Sequence, residues 1–164
     1  MKDGAIALAG LLKNIVDHEP GPVACPHCMT PMESHGRRSK EIITLLGETT
    51  VDRAYYSCTR CDGHLFPKDA LLDIARTSFS PGVRRLMARS GARDSFARAA
   101  EDLWEYSGIQ IGAKDVERVA EAIGADIERR EQRVRAETMA GAVAAPDKPI
   151  PVLYVAYDGT GVPV

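Results

Sequence analysis

The first apolar pattern along the chain has the spacing of an amphipathic helix. Between residues 4 and 17, Ile6, Ala9, Leu12 and Ile15 recur at intervals of three residues, and the segment EPGP follows. Because residues three or four apart share one face of a helix, this pattern predicts a short helix that the prolines end. We expect its apolar face to pack within the fold or to contact a second copy in a homo-oligomer.

β-Branched and aromatic residues replace the helical pattern in the next part of the chain. They are concentrated in the runs 42–45 and 49–56, and Gly47 and Glu48 lie between the two runs. These residue types are enriched in strands, and a glycine beside a polar residue is typical of a turn. The sequence therefore predicts a β-hairpin whose turn is formed by Gly47 and Glu48.

Helical signals return after the predicted hairpin. A helix is expected to begin within the segment FPKDALLDIA, with Asp69 near its N-terminus. The next helix is expected to run from Pro81 to about Gly91, with Ser80 as its N-cap. Serine is a favoured N-cap, and proline suits the first helical position because the N–H group that it lacks has no partner there.

Two more predicted helices, 95–107 and 113–123, are separated by a short turn that contains Gly108. This layout is that of a helix-turn-helix, in which the second helix enters the major groove of DNA. The second helix has three acids among its five outward-facing residues, so a helical hairpin that only packs stays open as an alternative. The outward-facing residues are Lys114, Asp115, Glu117, Arg118 and Glu121.

The last part of the sequence changes character twice. Residues 139–151 are rich in Ala, Gly and Pro, which predicts a linker. The apolar run Val152–Tyr157 then predicts a buried strand, and this strand is followed directly by Asp158. A strand that is apolar on both faces is expected to have neighbours in a sheet.

Composition and charge narrow the possible classes of protein. The 164 residues are 45% hydrophobic and 27% charged, which is ordinary for a folded protein, and the net charge of −2 means that any nucleic-acid contact must come from a local patch. Asp3 precedes a short apolar run with no cleavage site after it, and no run approaches the roughly 18 apolar residues that span a bilayer. We therefore expect a cytoplasmic protein without membrane contact, in a reducing compartment where paired cysteines more often bind metal or do redox work than form disulfides.

All the cysteines of the chain fall into two C-x2-C pairs that flank the predicted hairpin. They are Cys25, Cys28, Cys58 and Cys61. Two such pairs supply the four thiolates of a closed tetrahedral zinc site, whereas redox use needs one C-x-x-C in a βαβ pattern, which is absent here. The sequence therefore predicts a zinc ribbon with structural Zn²⁺. The neighbouring His27 and His64 are interpreted as bystanders, because four thiolates already fill the coordination shell.

Positive charge is concentrated between residues 84 and 98, where five arginines accompany a single acid, Asp94. Such a stripe suits contacts with DNA phosphates, which position a protein without reading sequence. The same stripe is also compatible with an ordinary solvated surface. Together with the outward basic residues of the last helix, the candidate DNA-contacting residues are Arg84, Arg85, Arg89, Arg93, Arg98, Lys114 and Arg118.

Three segments taken together resemble the N-terminal part of an ISKra-type insertion-sequence transposase. The segments are YYSCTRCDGHLFPKDALL, SPGVRRLMARSGARDSFARAAEDLWEYSGIQIGAKDVERVAEAIG and LYVAYDGTGVPV, and the resemblance covers about residues 37–164. It implies a zinc-ribbon-like and helical DNA-binding region before a ribonuclease H-like domain that cleaves and joins DNA with three acids and divalent metal. It further implies that the partner is duplex DNA at transposon ends, that the four cysteines are the metal ligands, and that Asp158 is the first catalytic carboxylate.

The resemblance also limits what this chain is expected to do. Two-metal chemistry needs several carboxylates, so Asp158 alone is expected to give no Mg²⁺-dependent strand cleavage, and Mg²⁺ is expected only in a complete catalytic domain. We therefore expect a DNA-binding segment that is inactive as an enzyme by itself. A free-standing zinc-ribbon and helix-turn-helix regulator, or a small partner-binding protein, stays open as an alternative.

The expected fold class is α+β, with five parts in order along the chain. They are an N-terminal helix (1–22), a zinc ribbon (23–66), a helical DNA-binding region (67–138), a linker (139–151) and the first strand of a truncated catalytic domain (152–164).

Overall fold

The computed structural model describes residues 2–17, 22–141 and 148, and this part of the chain has an α+β fold. Its elements are α1 (Lys2–Lys13), β1 (Glu33–Thr44), β2 (Gly47–Ser57), β3 (His64–Leu65), α2 (Pro67–Leu71), α3 (Pro81–Gly91), α4 (Phe96–Ser107) and α5 (Ala113–Met139). The predicted strand at 152–157, Asp158 and most of the predicted linker lie outside the described residues.

The chain divides into two units, Met1–Ala125 and Asp126–Val164, and α5 contributes residues to both. From Asp126 to Met139 the side chains of α5 are exposed, and they form local contacts such as the 3.3 Å ion pair between Asp126 and Arg129. This exposure agrees with the mixed-charge sequence of the segment. No helix in the described part of the chain is long and apolar enough to cross a membrane.

The three strands form one antiparallel sheet in the order β1-β2-β3, and the first two make the predicted hairpin. The predicted position of the turn was wrong, because Thr44 pairs with Gly47 and the turn residues are Leu45 and Leu46. Gly47 has a φ of 110°, a conformation that favours glycine, so the glycine is the residue that leaves the turn. The Thr44 hydroxyl closes the turn, accepting from the Leu46 N–H at 3.1 Å and donating to the Gly47 carbonyl at 2.7 Å.

Helix α1 packs against β2 through a face that includes the predicted Leu12 but is rotated away from the predicted Ile6. Ala5 and Leu12 are buried, whereas Ile6 is 70% exposed. The helix also ends at Lys13, four residues before the predicted end at 17. The face that packs contains Ala5, Leu8 and Leu12, at i, i+3 and i+7. The Thr49 hydroxyl of β2 donates to the Ala5 carbonyl at 3.3 Å.

The helices α3, α4 and the start of α5 share one apolar core. Ser80 caps α3 by accepting the Val83 N–H, and Gly108 ends α4 in the left-handed conformation at φ 63°, so both predicted caps are confirmed. A Cβ atom on Gly91 would lie 3.2 Å from Val116 Cγ1, which shows how closely the end of α3 approaches α5. The buried members of this core are Phe79, Val83, Met87, Ala99, Leu103, Ile109, Ile111, Val116 and Val119.

A buried ion pair connects the hairpin to α2. Arg53 Nη1 of β2 donates to both carboxylate oxygens of Asp69, at 3.0 and 2.8 Å, and Lys40 Nζ of β1 lies 3.6 Å from the same carboxylate. The side chains of Arg53 and Asp69 are only 10% and 12% exposed. The predicted role of Asp69, near the start of a helix, is therefore incomplete, because its carboxylate also neutralises two cations from the sheet.

A second buried carboxylate fixes the chain that follows α1. Asp17 Oδ2 accepts from Arg37 Nη1 at 2.6 Å and from the Ala54 N–H at 3.2 Å, and Oδ1 lies 3.3 Å from Lys68 Nζ. Burial raises the pKa of the Asp17 carboxyl, but hydrogen bonds from Arg37 and Lys68 outweigh that effect and hold the pKa below its usual range. The stabilisation that results is present above the ordinary carboxyl pKa and is lost as the pH falls.

Replacing Asp69 by Ala would leave the Arg53 guanidinium buried without its partner. We expect the D69A substitution to lower the free energy of unfolding by about 3 kcal/mol, measured by urea denaturation, because a buried charge that has lost its partner is strongly destabilising. The matched control is D126A, which removes an exposed ion pair and should cost less than about 0.5 kcal/mol. Equal effects of the two substitutions would contradict the structural role given to Asp69.

Candidate metal centre

Two tight turns hold the cysteine pairs at one end of the hairpin. The first turn precedes β1, and its Cys25 N–H donates to the Thr30 carbonyl at 2.9 Å. The second turn connects β2 to β3, and its Cys58 N–H donates to the Gly63 carbonyl at 2.8 Å. The residue after each pair has a positive φ, 60° at Met29 and 52° at Asp62, so the chain reverses in the same way after both pairs.

The four cysteine sulfurs lie together, as the sequence predicted. All the Sγ atoms are within 4.8 Å of one another, and the shortest separations are 3.5 Å, between Cys25 and Cys61 and between Cys28 and Cys58. A tetrahedron with metal–sulfur bonds of about 2.3 Å has sulfur–sulfur edges of about 3.8 Å, whereas a disulfide needs about 2.05 Å. All four cysteines are free thiols, and their arrangement fits a single metal ion.

Hydrogen bonds to the sulfurs favour thiolates at the site. The Thr30 hydroxyl and N–H lower the pKa of Cys28 to about 6, and the N–H of His27 is the main cause of the lowered pKa of Cys25. The Gly63 N–H acts in the same direction on Cys61, but the neighbouring Cys25 and Cys28 sulfurs outweigh it and raise the pKa of Cys61 to about 12. Four thiolates this close repel one another, so a divalent cation is what allows all of them to ionise.

Gly63 contributes to the site by having no side chain. A Cβ atom at this position would lie 3.3 Å from Cys61 Sγ, 3.4 Å from Cys25 Sγ and 3.3 Å from the His27 ring. The backbone therefore passes close to the sulfurs, and its N–H reaches Cys61. Neither Gly63 nor Thr30 was predicted to belong to the site, although each follows the second cysteine of its pair by two residues, and that regular position was a usable signal.

The two neighbouring histidines do not belong to the sulfur cluster. Among the described residues, the group of side chains that can share a metal ion consists of the four cysteines alone. His64 is exposed on β3, and its Nδ1 lies 2.9 Å from the Tyr55 hydroxyl. This geometry agrees with the interpretation of His27 and His64 as bystanders.

The predicted DNA-contacting residues divide into two groups. Those with ion-pair partners are Arg84 with Asp73 at 2.6 Å, Arg98 with Glu101 and Asp102 at 3.6 and 3.7 Å, and Arg118 with Asp115 at 2.6 Å. Those that are exposed and have no ion-pair partner in the described ranges are Arg85, Arg89, Arg93 and Lys114. The first group is already neutralised locally, so the second group carries most of the positive charge available to a ligand.

No protein-family profile matches this chain, and no curated protein matches it. The resemblance to ISKra-type transposases therefore rests on the three sequence segments given above and stays a prediction. The same is true of the catalytic role of Asp158, which lies outside the residues that the structure describes.

We expect the G63A substitution to weaken metal binding about 10-fold, since disturbing groups that support metal ligands commonly costs 10- to 100-fold in affinity. The added methyl group would press on two ligand sulfurs, and one of them would have to move. Competition with a chromophoric chelator measures the affinity. The control is G124A, at a position with nothing within 4 Å, which should leave metal affinity unchanged. Unchanged affinity in G63A would show that the sulfurs do not lie around the metal as described.

Proposed function

We propose that this chain is the DNA-binding N-terminal segment of a transposase, and that structural Zn²⁺ in the four-cysteine site stabilises it. The observation that carries the DNA-binding part is the arginine cluster, which consists of Arg85, Arg89 and Arg93. These three arginines are exposed and have no ion-pair partner among residues 2–17 and 22–141. The transposase part is supported by the sequence resemblance alone.

Zinc is the metal that best suits the chemistry of the site. Four thiolates in a tetrahedral arrangement are typical of structural zinc, and they leave no open position for a substrate or a water molecule. Bound zinc would supply cross-linking of the chain and no reaction step. Cys25 and Cys58 are buried, whereas Cys61 is exposed, so the metal would sit at the surface of the ribbon.

The arginine cluster is held in place by the helical core. Arg85 and Arg89 are one helical turn apart on the exposed side of α3, while Val83 and Met87 on the same helix are buried. Residues four apart on a helix project from the same face, so the two guanidinium groups present charge together. Arg93 follows directly after the helix. A cluster of this kind suits phosphates of duplex DNA, which attract cations without regard to sequence.

Base reading by α5 has less support than phosphate binding. α5 would be the second helix of a helix-turn-helix, but Arg118 near its N-terminus is paired with Asp115 at 2.6 Å. Glu117 and Glu121 are exposed on the same helix and would repel DNA phosphates. We therefore propose that this segment positions the protein on duplex DNA chiefly through contacts with the phosphates of the DNA backbone.

Strand transfer is proposed only for a protein that has a complete catalytic domain. In such a protein Asp158 would be the first of three acids that hold Mg²⁺, following the resemblance. Two-metal chemistry needs several carboxylates around the same ions. Within the described ranges, the four cysteines are the only group of three or more His, Cys, Asp or Glu side chains that can share an ion.

A free-standing DNA-binding regulator is the second candidate, and one observation favours it. The unit Met1–Ala125 contains both the cysteine site and the arginine cluster, so it carries the proposed binding surfaces without Asp158. Footprinting separates the candidates: protection at the ends of a mobile element supports the transposase, whereas protection upstream of the gene itself supports the regulator.

Replacing Arg85, Arg89 and Arg93 together by Ala should weaken binding to duplex DNA and make it less sensitive to salt. Each lost phosphate contact lowers the slope of log affinity against log salt by about 0.9, so three lost contacts lower it by about 2.7. Fluorescence anisotropy over a series of salt concentrations measures the slope.

The matched control removes three arginines that already have acidic partners, by the substitutions R98A, R118A and R129A. This variant has the same change in net charge and should keep nearly the whole slope. If both triple variants behave alike, the arginine cluster has no special role in binding DNA.

A further inference from the structure

A group of aromatic rings lies on one side of the hairpin. Its residues are in a different part of the sequence from the arginine cluster. Tyr55 of β2 is at its centre, with its ring centroid 5.1 Å from that of Phe66, 5.6 Å from that of His64 and 6.0 Å from that of His35. The guanidinium of Arg38 lies 5.5 Å from the centroid of the Tyr55 ring. We call these five residues the ribbon face.

The backbone of the sheet brings these rings together. The register of β1 against β2 shifts between Ser34 and Arg37, where Gly36 has a φ of 77°, so β1 contains a bulge. A bulge redirects side chains, and here it accompanies the placement of His35 beside Tyr55. His64 reaches the same side because it pairs with Ser57 across β2 and β3.

Two hydrogen bonds fix the orientation of the rings. The Tyr55 hydroxyl and His64 Nδ1 are 2.9 Å apart, and the Ser57 hydroxyl and His35 Nε2 are 2.8 Å apart. Both hydrogen bonds lie at the exposed surface. The rings are therefore held in fixed positions while His35 and His64 remain accessible to a ligand, which lowers the conformational entropy that binding would cost.

Charge on the hairpin distinguishes Arg38 from the other basic residues. Arg37, Lys40 and Arg53 have Asp17 or Asp69 as partners, whereas exposed Arg38 has no acidic partner among the described residues. Side chains alternate between the two faces of a strand, so the acids Glu41, Glu48 and Asp52 fall on the opposite side from Arg38 and Tyr55. Glu33, the remaining acid of the two strands, pairs with Ser57 beyond the bulge and is the one strand acid on the side of Tyr55.

We propose that the ribbon face binds single-stranded DNA, with bases stacked on the exposed His35 and His64 rings and the Arg38 guanidinium on a phosphate or a base plane. Tyr55 is half-buried against Phe66, whose ring also contacts Arg53, so Tyr55 supports the two histidine rings. The proposal rests on the proposed function in taking DNA as the ligand, but it assigns a different form of DNA to a second surface. Aromatic rings beside a cation are the features that bind unpaired bases, because every base has a flat face that stacks without sequence readout. In a duplex those faces are covered, so this surface favours a single strand.

The test uses the full chain loaded with zinc and a fluorescein-labelled strand of twelve thymidines. Y55A removes the ring and the hydroxyl that hold His64 in place, so it should weaken binding about 10-fold in anisotropy titrations. This lies within the range of about 5- to 150-fold that losing one stacked base implies. Y55F keeps the ring and should bind within about twofold of the unchanged protein. Binding of duplex DNA should be unaffected by either substitution.

An abasic strand of the same length separates stacking from charge. Y55A and the unchanged protein should bind this strand equally, since it has phosphates but no bases. R38A and the double substitution H35A/H64A change exposed side chains, and each should also weaken thymidine binding severalfold. They test the ribbon face even if Y55A lowers zinc content or thermal stability.

The outcomes distinguish this inference from the proposed function. Duplex binding that depends on Arg85, Arg89 and Arg93, together with thymidine binding that none of the ribbon-face variants changes, would overturn the inference alone. Absence of binding to both forms of DNA would overturn both. Loss of thymidine binding in the ribbon-face variants, with duplex binding retained, is the result that we expect.

Discussion

The structure of the ribbon depends on bringing two cysteine pairs together across a long hairpin. The sulfurs of residues 25 and 61 and those of residues 28 and 58 approach to 3.5 Å, although about 30 residues separate the pairs in sequence. Without a cation these thiols oppose one another's ionisation, whereas a bound metal converts the same crowding into four metal–sulfur bonds. The position of β3 follows from this closure, because the second cysteine pair forms the turn between β2 and β3. His64 and Phe66, and with them the ribbon face, therefore follow directly from the turn that contains the second cysteine pair.

Buried ion pairs connect the hairpin and the chain that follows α1 to helix α2. Asp69 binds Arg53 and contacts Lys40, while Asp17 contacts Lys68, whose side chain is only 1% exposed. The attraction within such a pair largely offsets the cost of removing both charges from water, so the pair adds little net stability. Arrangements in which one partner is missing are strongly disfavoured, because the other charge is then buried alone. Among the described residues, Arg38 on the hairpin and Arg85, Arg89 and Arg93 near α3 are exposed and have no acidic partner.

Features that depend on a few neighbouring residues were predicted from the sequence more successfully than features that depend on long-range contacts. The cysteine spacing, the strand-forming residues of the hairpin, the Ser80 cap and the Gly108 cap each act within a few residues, and the structure has all of them. The predicted position of the hairpin turn was wrong because Gly47 is the first residue after the turn and not part of it. The prediction for α1 was right at Leu12, which is buried, and wrong at Ile6, because the fit against β2 buries Ala5 in place of the larger Ile6. The buried ion pairs join residues that are 16 to 51 positions apart, and no periodicity reveals such partners.

Metal analysis combined with hydrogen exchange tests the central claim most directly. Freshly purified, reduced protein should contain one zinc ion per chain, and removing that zinc with a chelator should abolish amide protection across residues 23–66. Protein without bound zinc, or protection of those amides that survives chelation, would contradict the account that the four cysteines hold the ribbon through a metal.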